Sequence, residues 1–220
     1  MIRVFIGVDE RQYIAYHVLC SSIMRRSSVP VSITPIILSQ CPISRKGLTG
    51  FTYARYLVPY FCDYQGKAVF MDSDILCIGD IAEIIEVADD SAVSVVPFDG
   101  SLAFERPAVM VFNCDKCKAL TPEYIDDETN HPQTFDWAES VGELPPEWNH
   151  LVGYMPYNPA AKIIHYTQGV PGYKECRQCD YAREWFIEKS YMEHHVSWLE
   201  IMGTSVHAPH VLKRLSSANN

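Results

Sequence analysis

Hydrophobic positions along the chain alternate between short unbroken runs and stretches with helical spacing. Residues 2–8 form an apolar run that predicts a short buried strand, and Asp9-Glu10-Arg11 follow it as a loop. From Gln12 to Met24 the apolar side chains Tyr13, Tyr16, His17, Cys20 and Ile23 recur at helical spacing. Val31–Leu38 predicts a second strand. Ser39–Gly50 reads as a loop, and Phe51–Phe61 as an amphipathic helix whose last turn is disturbed by Pro59. Lys67–Met71 is a second buried run, ending in Asp72-Ser73-Asp74 and resuming at Ile75-Leu76-Cys77. A short helix is expected at Ile81–Val87, with strands at Ala92–Pro97, Val109–Asn113 and Ala161–Tyr166. The polar, acidic stretch Thr121–Pro146 reads as loop, a helix over about 181–202 closes the chain, and a tail at Ser216–Asn220 is expected to fray. Strands alternating with helices in this way predict one α/β domain over residues 1–220, a sheet with helices on both faces.

Composition narrows the function classes. Of the 220 residues 48% are hydrophobic, which is enough for a sizeable core, and the formal net charge is −9. Without a run of Lys or Arg, that charge disfavours nucleic acid and anionic membrane as partners. No apolar stretch reaches the ~18 to 20 residues a membrane-spanning helix needs. The N-terminus enters a strand at once, so the expected location is cytoplasmic.

Eight cysteines include two pairs at metal-like spacing, Cys114/Cys117 and Cys176/Cys179. Nothing but the spacing supports a zinc site, and both pairs read more readily as buried or edge thiols.

The chemistry concentrates at Asp72-Ser73-Asp74. In an extended segment the side chains at i and i+2 share a side, so both carboxylates can face one hard cation such as Mg²⁺ or Mn²⁺. The end of a central strand is also where open α/β sheets bind ligands. Taken alone, the triplet fits a solvated turn or a helix cap at least as well. His165, at the end of the last strand, is a candidate third ligand that would favour Mn²⁺, although a lone histidine is more often structural. Gly169 and Gly172 behind it can bring backbone amides near a phosphate or serve as turn residues. Arg55 can pair with a phosphate or with Asp72, and Asp9 can reach a base or ribose. Trp137, Trp148, Tyr154 and Tyr157 can stack on a sugar or fill the core. The adjacent His194-His195 would diverge on a helix and make a poor chelate. No GxxxxGK[ST], GxGxxG or GxSxG signature is present.

With these residues in place, the chain resembles the family 8 glycosyltransferases, the group of glycogenin and the bacterial lipopolysaccharide galactosyltransferases. The likeness lies in Val4–Tyr16, Phe51-Thr-Tyr-Ala-Arg55, Val69-Phe-Met-Asp-Ser-Asp74, Leu144-Pro-Pro-Glu-Trp-Asn149 with Val152-Gly153, and His165 with its glycine loop. It implies a GT-A fold with a mixed, mainly parallel central sheet, and transfer of a hexose from a UDP-sugar with retention. It also implies a DxD motif in which Asp72, Asp74 and His165 hold Mn²⁺ (or Mg²⁺). Gly7, Asp9 and Tyr13 would hold the base and ribose. Arg55, Ser73, Gly169 and Lys174 would lie along the diphosphate and sugar. Asp72, Asp74 and Asp136 are the residues expected around the reacting bond, Asp136 through sugar contact alone.

Three positions depart from the family pattern. Arg106-Pro107-Ala108 stands where the family has Asn-Ala-Gly or Asn-Ser-Gly. The family Lys after the metal His is missing, with Lys174 the nearest substitute, and Asp136-Trp137 is the nearest counterpart of an Asp-Gln pair. Two alternatives follow: a nucleotide-sugar binding protein on the same fold with little or no turnover, or a nucleotidyltransferase.

Overall fold

The unbroken apolar runs form the strands of a central sheet. A computed structural model of the chain describes residues 1–193 and 196–218, so His194-His195 lie outside the described residues. In chain order the elements are β1 (Ile2–Gly7), α1 (Tyr13–Arg26), β2 (Val31–Ile36), α2 (Val58–Phe61), β3 (Lys67–Asp72), β4 (Ile75–Cys77), α3 (Ala82–Val87), β5 (Val93–Val95), β6 (Val109–Asn113), α4 (Pro122–Asp126), β7 (Val141–Glu143), β8 (His150–Leu151), β9 (Ile163–His165), α5 (Ala182–Met192), α6 (Trp198–Met202) and α7 (Ala208–Ala218).

The main sheet has the order β2-β1-β3-β6-β5-β7, and only β6 runs against the others. The expected mixed, mainly parallel sheet is present. Its inner strands β1, β3, β6 and β5 are buried on both faces, and the two-residue period sorts their side chains between two cores. Val4, Ile6, Val69, Met71, Val109 and Val111 face Leu19 and Ile23 of α1. Phe5, Ala68, Phe70, Met110 and Phe112 face Phe51, Tyr56 and Leu57. A smaller sheet, β4-β9-β8, continues from the end of β3. A third cluster built on Leu76, Ile164, Tyr166 and Trp185 joins it to α1 and α5.

Four expectations change. Phe51–Phe61 is not one helix: Ala54–Leu57 is 3₁₀ and passes into α2, with Pro59 in the first turn of α2, where its missing N–H costs nothing. Thr121–Pro146 holds α4, capped by Thr121, and the edge strand β7. The closing helix is split into α5 and α6. Beyond it α7 runs to Ala218, through most of the tail expected to fray. Among the described residues no helix is long and apolar enough to cross a membrane.

Candidate metal centre and donor cleft

Strand register brings the candidate ligands together. Gly7 pairs with Asp72, so β1 and β3 end side by side at one edge of the main sheet. Ser73 and Asp74 then form a turn, and Ile75 opens β4, which pairs antiparallel with β9 so that Ile75 faces His165. The Tyr166 amide donates to the Asp74 carbonyl at 2.9 Å and locks this corner. The carboxylates therefore converge through a turn, not through the alternation of an extended strand.

One ligand atom each from Asp72, Asp74 and His165 lie within 4.8 Å of one another, the one group of three or more such residues among those described. His165 is buried, its Nε2 3.5 Å from Asp74 Oδ1, and the Asp72 and Asp74 side chains keep 14% and 23% of their exposure. The cluster thus opens to solvent on its carboxylate side. Asp74 Oδ1 and Ser73 Oγ are buried without a hydrogen-bond partner, and Asp72 Oδ1, also without a hydrogen bond, has the Arg55 guanidinium at 3.2 Å. An uncompensated buried oxygen such as Asp74 Oδ1 is costly, and a hard cation supplies what it lacks. Two carboxylates and an imidazole form a donor set that fits Mn²⁺ or Mg²⁺, the imidazole favouring the former.

Arg55 comes from the 3₁₀ turn before α2. Its Nη1 lies 3.2 Å from Asp72 Oδ1 and donates to the Pro107 carbonyl at 2.9 Å. Even so, the Asp72 carboxyl is pushed up to about 7, because burial outweighs Arg55 and the Asp74 charge adds to the effect. Burial acts to lower the His165 imidazole, but Asp74, Glu105 and Asp72 around it leave it raised. Both shifts describe a site short of positive charge.

Beside the cluster, past the ends of β1 and β2, lies a cavity of about 570 Å³ lined by Val8, Asp9, Ile37, Leu38, Ser44 and Gly47 among others. Asp9 is buried at its rim, but both of its oxygens accept from Arg11, at 2.6 to 3.2 Å. The Arg11 guanidinium holds the Asp9 carboxyl below the usual carboxylate range. Asp9 is therefore committed to an ion pair that a ligand has to open or share.

The remaining candidates separate. Gly7 has a packing reason for its identity, since a Cβ there would meet the Phe51 ring at 2.4 Å. Gly169 has φ +125°, a conformation open to glycine, and sits against Cys176 and Tyr173 in the loop after His165. Lys174 is exposed in a 3₁₀ turn at the far end of that loop. Tyr13 is half-exposed at the first turn of α1. Asp136 is exposed and accepts a hydrogen bond from the Thr134 hydroxyl. Of the four aromatics, Trp148 is core and Trp137 stacks on Phe112, while Tyr154 and Tyr157 stay exposed, Tyr157 stacked on Tyr181. Cys114 and Cys117 pack in the core facing α2, and Cys176 and Cys179 line a small pocket near α5; all eight cysteines are free.

Two residues behind His165 were given no role by the sequence. Asn149 Oδ1 is 3.0 Å from His165 Nδ1, and the buried Glu105 carboxylate is 3.7 Å from the same nitrogen. Glu105 also accepts from the Thr167 hydroxyl. Asn149 closes the Leu144–Asn149 stretch singled out above. Glu105 had no spacing signal, since only tertiary folding brings it to the ring.

Comparison with known proteins is consistent with this geometry. The sequence profile described as Glycosyl transferase family 8 matches residues 17–135. The chain is 34% identical to Protein CDI of Arabidopsis thaliana, over 84% of this chain and 85% of that one. Among solved structures it resembles the apo form of the WbbM bifunctional glycosyltransferase, with TM-score 0.62 and 17% identity, covering 86% of this chain and 49% of that one. The glycosyltransferase GlyE of Streptococcus pneumoniae TIGR4 gives TM-score 0.62 at 16% identity, over 86% of this chain and 60% of that one. The galactosyltransferase LgtC, solved with donor and acceptor sugar analogues, gives 0.60 at 10% identity, over 90% and 99%. The chain spans about half to three fifths of WbbM and GlyE, and at these identities the likeness is one of fold.

Proposed function

The chain belongs to glycosyl transferase family 8 and is a glycosyltransferase, and from that premise we propose that it moves a hexose from a UDP-sugar to an acceptor with retention, using a divalent cation held by Asp72, Asp74 and His165. The observation that carries this reading is the convergence of three donor side chains within 4.8 Å, with Asp74 Oδ1 buried and without a hydrogen bond among them. Bound there, Mn²⁺ or Mg²⁺ supplies charge neutralisation for the leaving diphosphate.

The chain's own residues do the rest by position and charge. Arg55 sits against Asp72, anchored by Pro107, and offers a fixed guanidinium to a phosphate or sugar oxygen arriving at the carboxylates. Ser73 keeps a buried hydroxyl free beside them. The cavity past β1 and β2 takes the nucleoside, with Asp9 exchanging part of its Arg11 pairing for the ribose and Tyr13 at the mouth. The loop carrying Gly169 and Lys174 closes over the diphosphate. Asp136 contacts the donor sugar. Arg106 stands where the family has Asn, so donor choice differs from the family habit at that position. Retention through a front-face route calls for close placement of acceptor and donor more than for a side-chain base.

Calorimetry of UDP binding with and without Mn²⁺, on the wild type and Asp74→Ala, tests the reading. The expected result is metal-dependent binding that disappears in the variant, with slow hydrolysis of one UDP-sugar identifying the donor. No UDP binding under any metal condition would overturn it. Tight binding with neither hydrolysis nor transfer would instead favour a nucleotide-sugar binding protein, consistent with the Arg106-Pro107-Ala108 departure.

A further inference from the structure

The buried polar groups behind His165 form a chain with a direction. Asn149 is fully buried at the end of the 3₁₀ turn Pro146–Trp148, immediately before β8. The parallel pairing of β8 with β9 sets Leu151 opposite His165 and brings the Asn149 amide to the ring. Asn149 Nδ2 donates to the Glu105 main-chain carbonyl at 3.1 Å. That bond fixes which end of the amide faces the histidine: the oxygen, 3.0 Å from Nδ1. An amide oxygen only accepts, so Nδ1 must carry the proton. The Glu105 carboxylate, 3.7 Å from Nδ1 and buried, favours the proton on the same nitrogen. Nε2 is then left with its lone pair directed at Asp74, 3.5 Å away. In the neutral imidazole this sets a lone pair against a carboxylate oxygen, an arrangement that calls for a cation between them.

We propose that Asn149 is the positioning residue for His165: held by the Glu105 main-chain carbonyl, it fixes the Nδ1–H tautomer and keeps Nε2 free to ligate. The inference rests on the reading of Asp72, Asp74 and His165 as cation ligands, but its structural half stands without a metal. Outer partners of this kind commonly change metal affinity by about 10- to 100-fold.

The test has two arms. In the first, ¹⁵N-histidine NMR of the metal-free wild type, at a pH above the imidazole titration, identifies the protonated ring nitrogen of His165. Protonated Nδ1 and unprotonated Nε2 are expected; the opposite tautomer overturns the proposal without any variant. In the second, Mn²⁺ affinity is measured by electron paramagnetic resonance on wild type, Asn149→Ala and Glu105→Gln, each first checked for folding by thermal melting. Asn149→Ala is expected to weaken Mn²⁺ by about 10- to 100-fold and to let the tautomers mix. Glu105→Gln keeps the main-chain carbonyl and is expected to keep the Nδ1–H form. Wild-type affinity with an unchanged tautomer in Asn149→Ala overturns the proposal. A wild type that binds no Mn²⁺ sinks the metal reading instead, and the NMR arm then decides the tautomer alone.

Discussion

Arg55 and Asp72 form an ion pair under the candidate metal centre, Nη1 to Oδ1 at 3.2 Å, and the same nitrogen is tied to the Pro107 carbonyl. Both groups are largely buried, so removing the guanidinium strands a carboxylate and a carbonyl. Breaking a buried pair from one side costs about 3–5 kcal/mol. Asp72 can take up a proton and keeps some exposure, which places Arg55→Ala at or just below the lower end, at about 2–3 kcal/mol. Arg55→Lys restores charge without the fork and is expected to recover only part of the loss. Urea denaturation at pH 7 measures both, and an unshifted midpoint for Arg55→Ala would show that Asp72 does not depend on this partner.

The same shortage of positive charge predicts how metal binding depends on pH. Asp72 has a folded pKa raised to about 7 from an unfolded value near 3.8. The folded, metal-free protein therefore holds the proton more tightly, and this group makes it less stable as pH rises from about 4 to 7. A cation requires Asp72 ionised and His165 neutral; both groups are raised, so both oppose binding at low pH. The Mn²⁺-induced rise in melting temperature should be small at pH 5.5 and large at pH 8. A shift that is flat across this range would count against Asp72 and His165 as ligands.

The inner strands of the main sheet were legible in the sequence because they are buried on both faces and so read as unbroken apolar runs; Val109–Asn113 is placed to the residue. Elements that lack such a run were hidden. The edge strand β7 is the triplet Val-Gly-Glu, formed because β5 offers it a partner, and α4 is five residues started by the Thr121 cap and a proline. In the site, Asp72, Asp74 and His165 were visible through spacing and resemblance, since each ends or follows an apolar run. Glu105 and the role of Asn149 were not, because their meaning comes only from contacts with a ring on another strand. The resemblance implies a nucleoside contact for Gly7; that a side chain at this position would also meet Phe51 is a relation that one-dimensional spacing cannot reveal.

The exclusion of a side chain at position 7 is itself testable. A Cβ on Gly7 would sit 2.4 Å from two atoms of the buried Phe51 ring, well inside van der Waals contact, at the point where β1 meets Asp72. Overpacking of this kind costs about 1–3 kcal/mol, so Gly7→Ala should lower stability by that amount. The double variant Gly7→Ala with Phe51→Leu should lose less than the sum of the single changes, because the two residues share one space. Additive losses in denaturant melts would mean that Phe51 is not what excludes a side chain at position 7.

Glu188 on α5 anchors that helix to α1. Fully buried, it accepts from Ser21 Oγ at 2.6 Å, Arg25 Nη1 at 2.9 Å and Arg26 Nη1 at 2.8 Å. Burial opposes its ionisation, but the Ser21 hydroxyl and then Arg26 and Arg25 outweigh it and hold the carboxyl below the usual range. A depressed carboxylate contributes stability that is present above the unfolded pKa and is lost as pH falls through the folded one. Arg25 and Arg26 are partly exposed, which screens the pair and trims its worth. Glu188→Gln keeps the volume and removes the charge, and is expected to cost about 2 kcal/mol at pH 7. The difference from wild type should shrink as pH falls below the ordinary glutamate value of 4.5, where protons bind first to the unfolded carboxyl and then, lower still, to the folded one. Melting curves of both proteins from pH 3 to 8 decide it: a gap that persists unchanged at pH 3 would mean that the charge of Glu188 is not what ties α5 to α1.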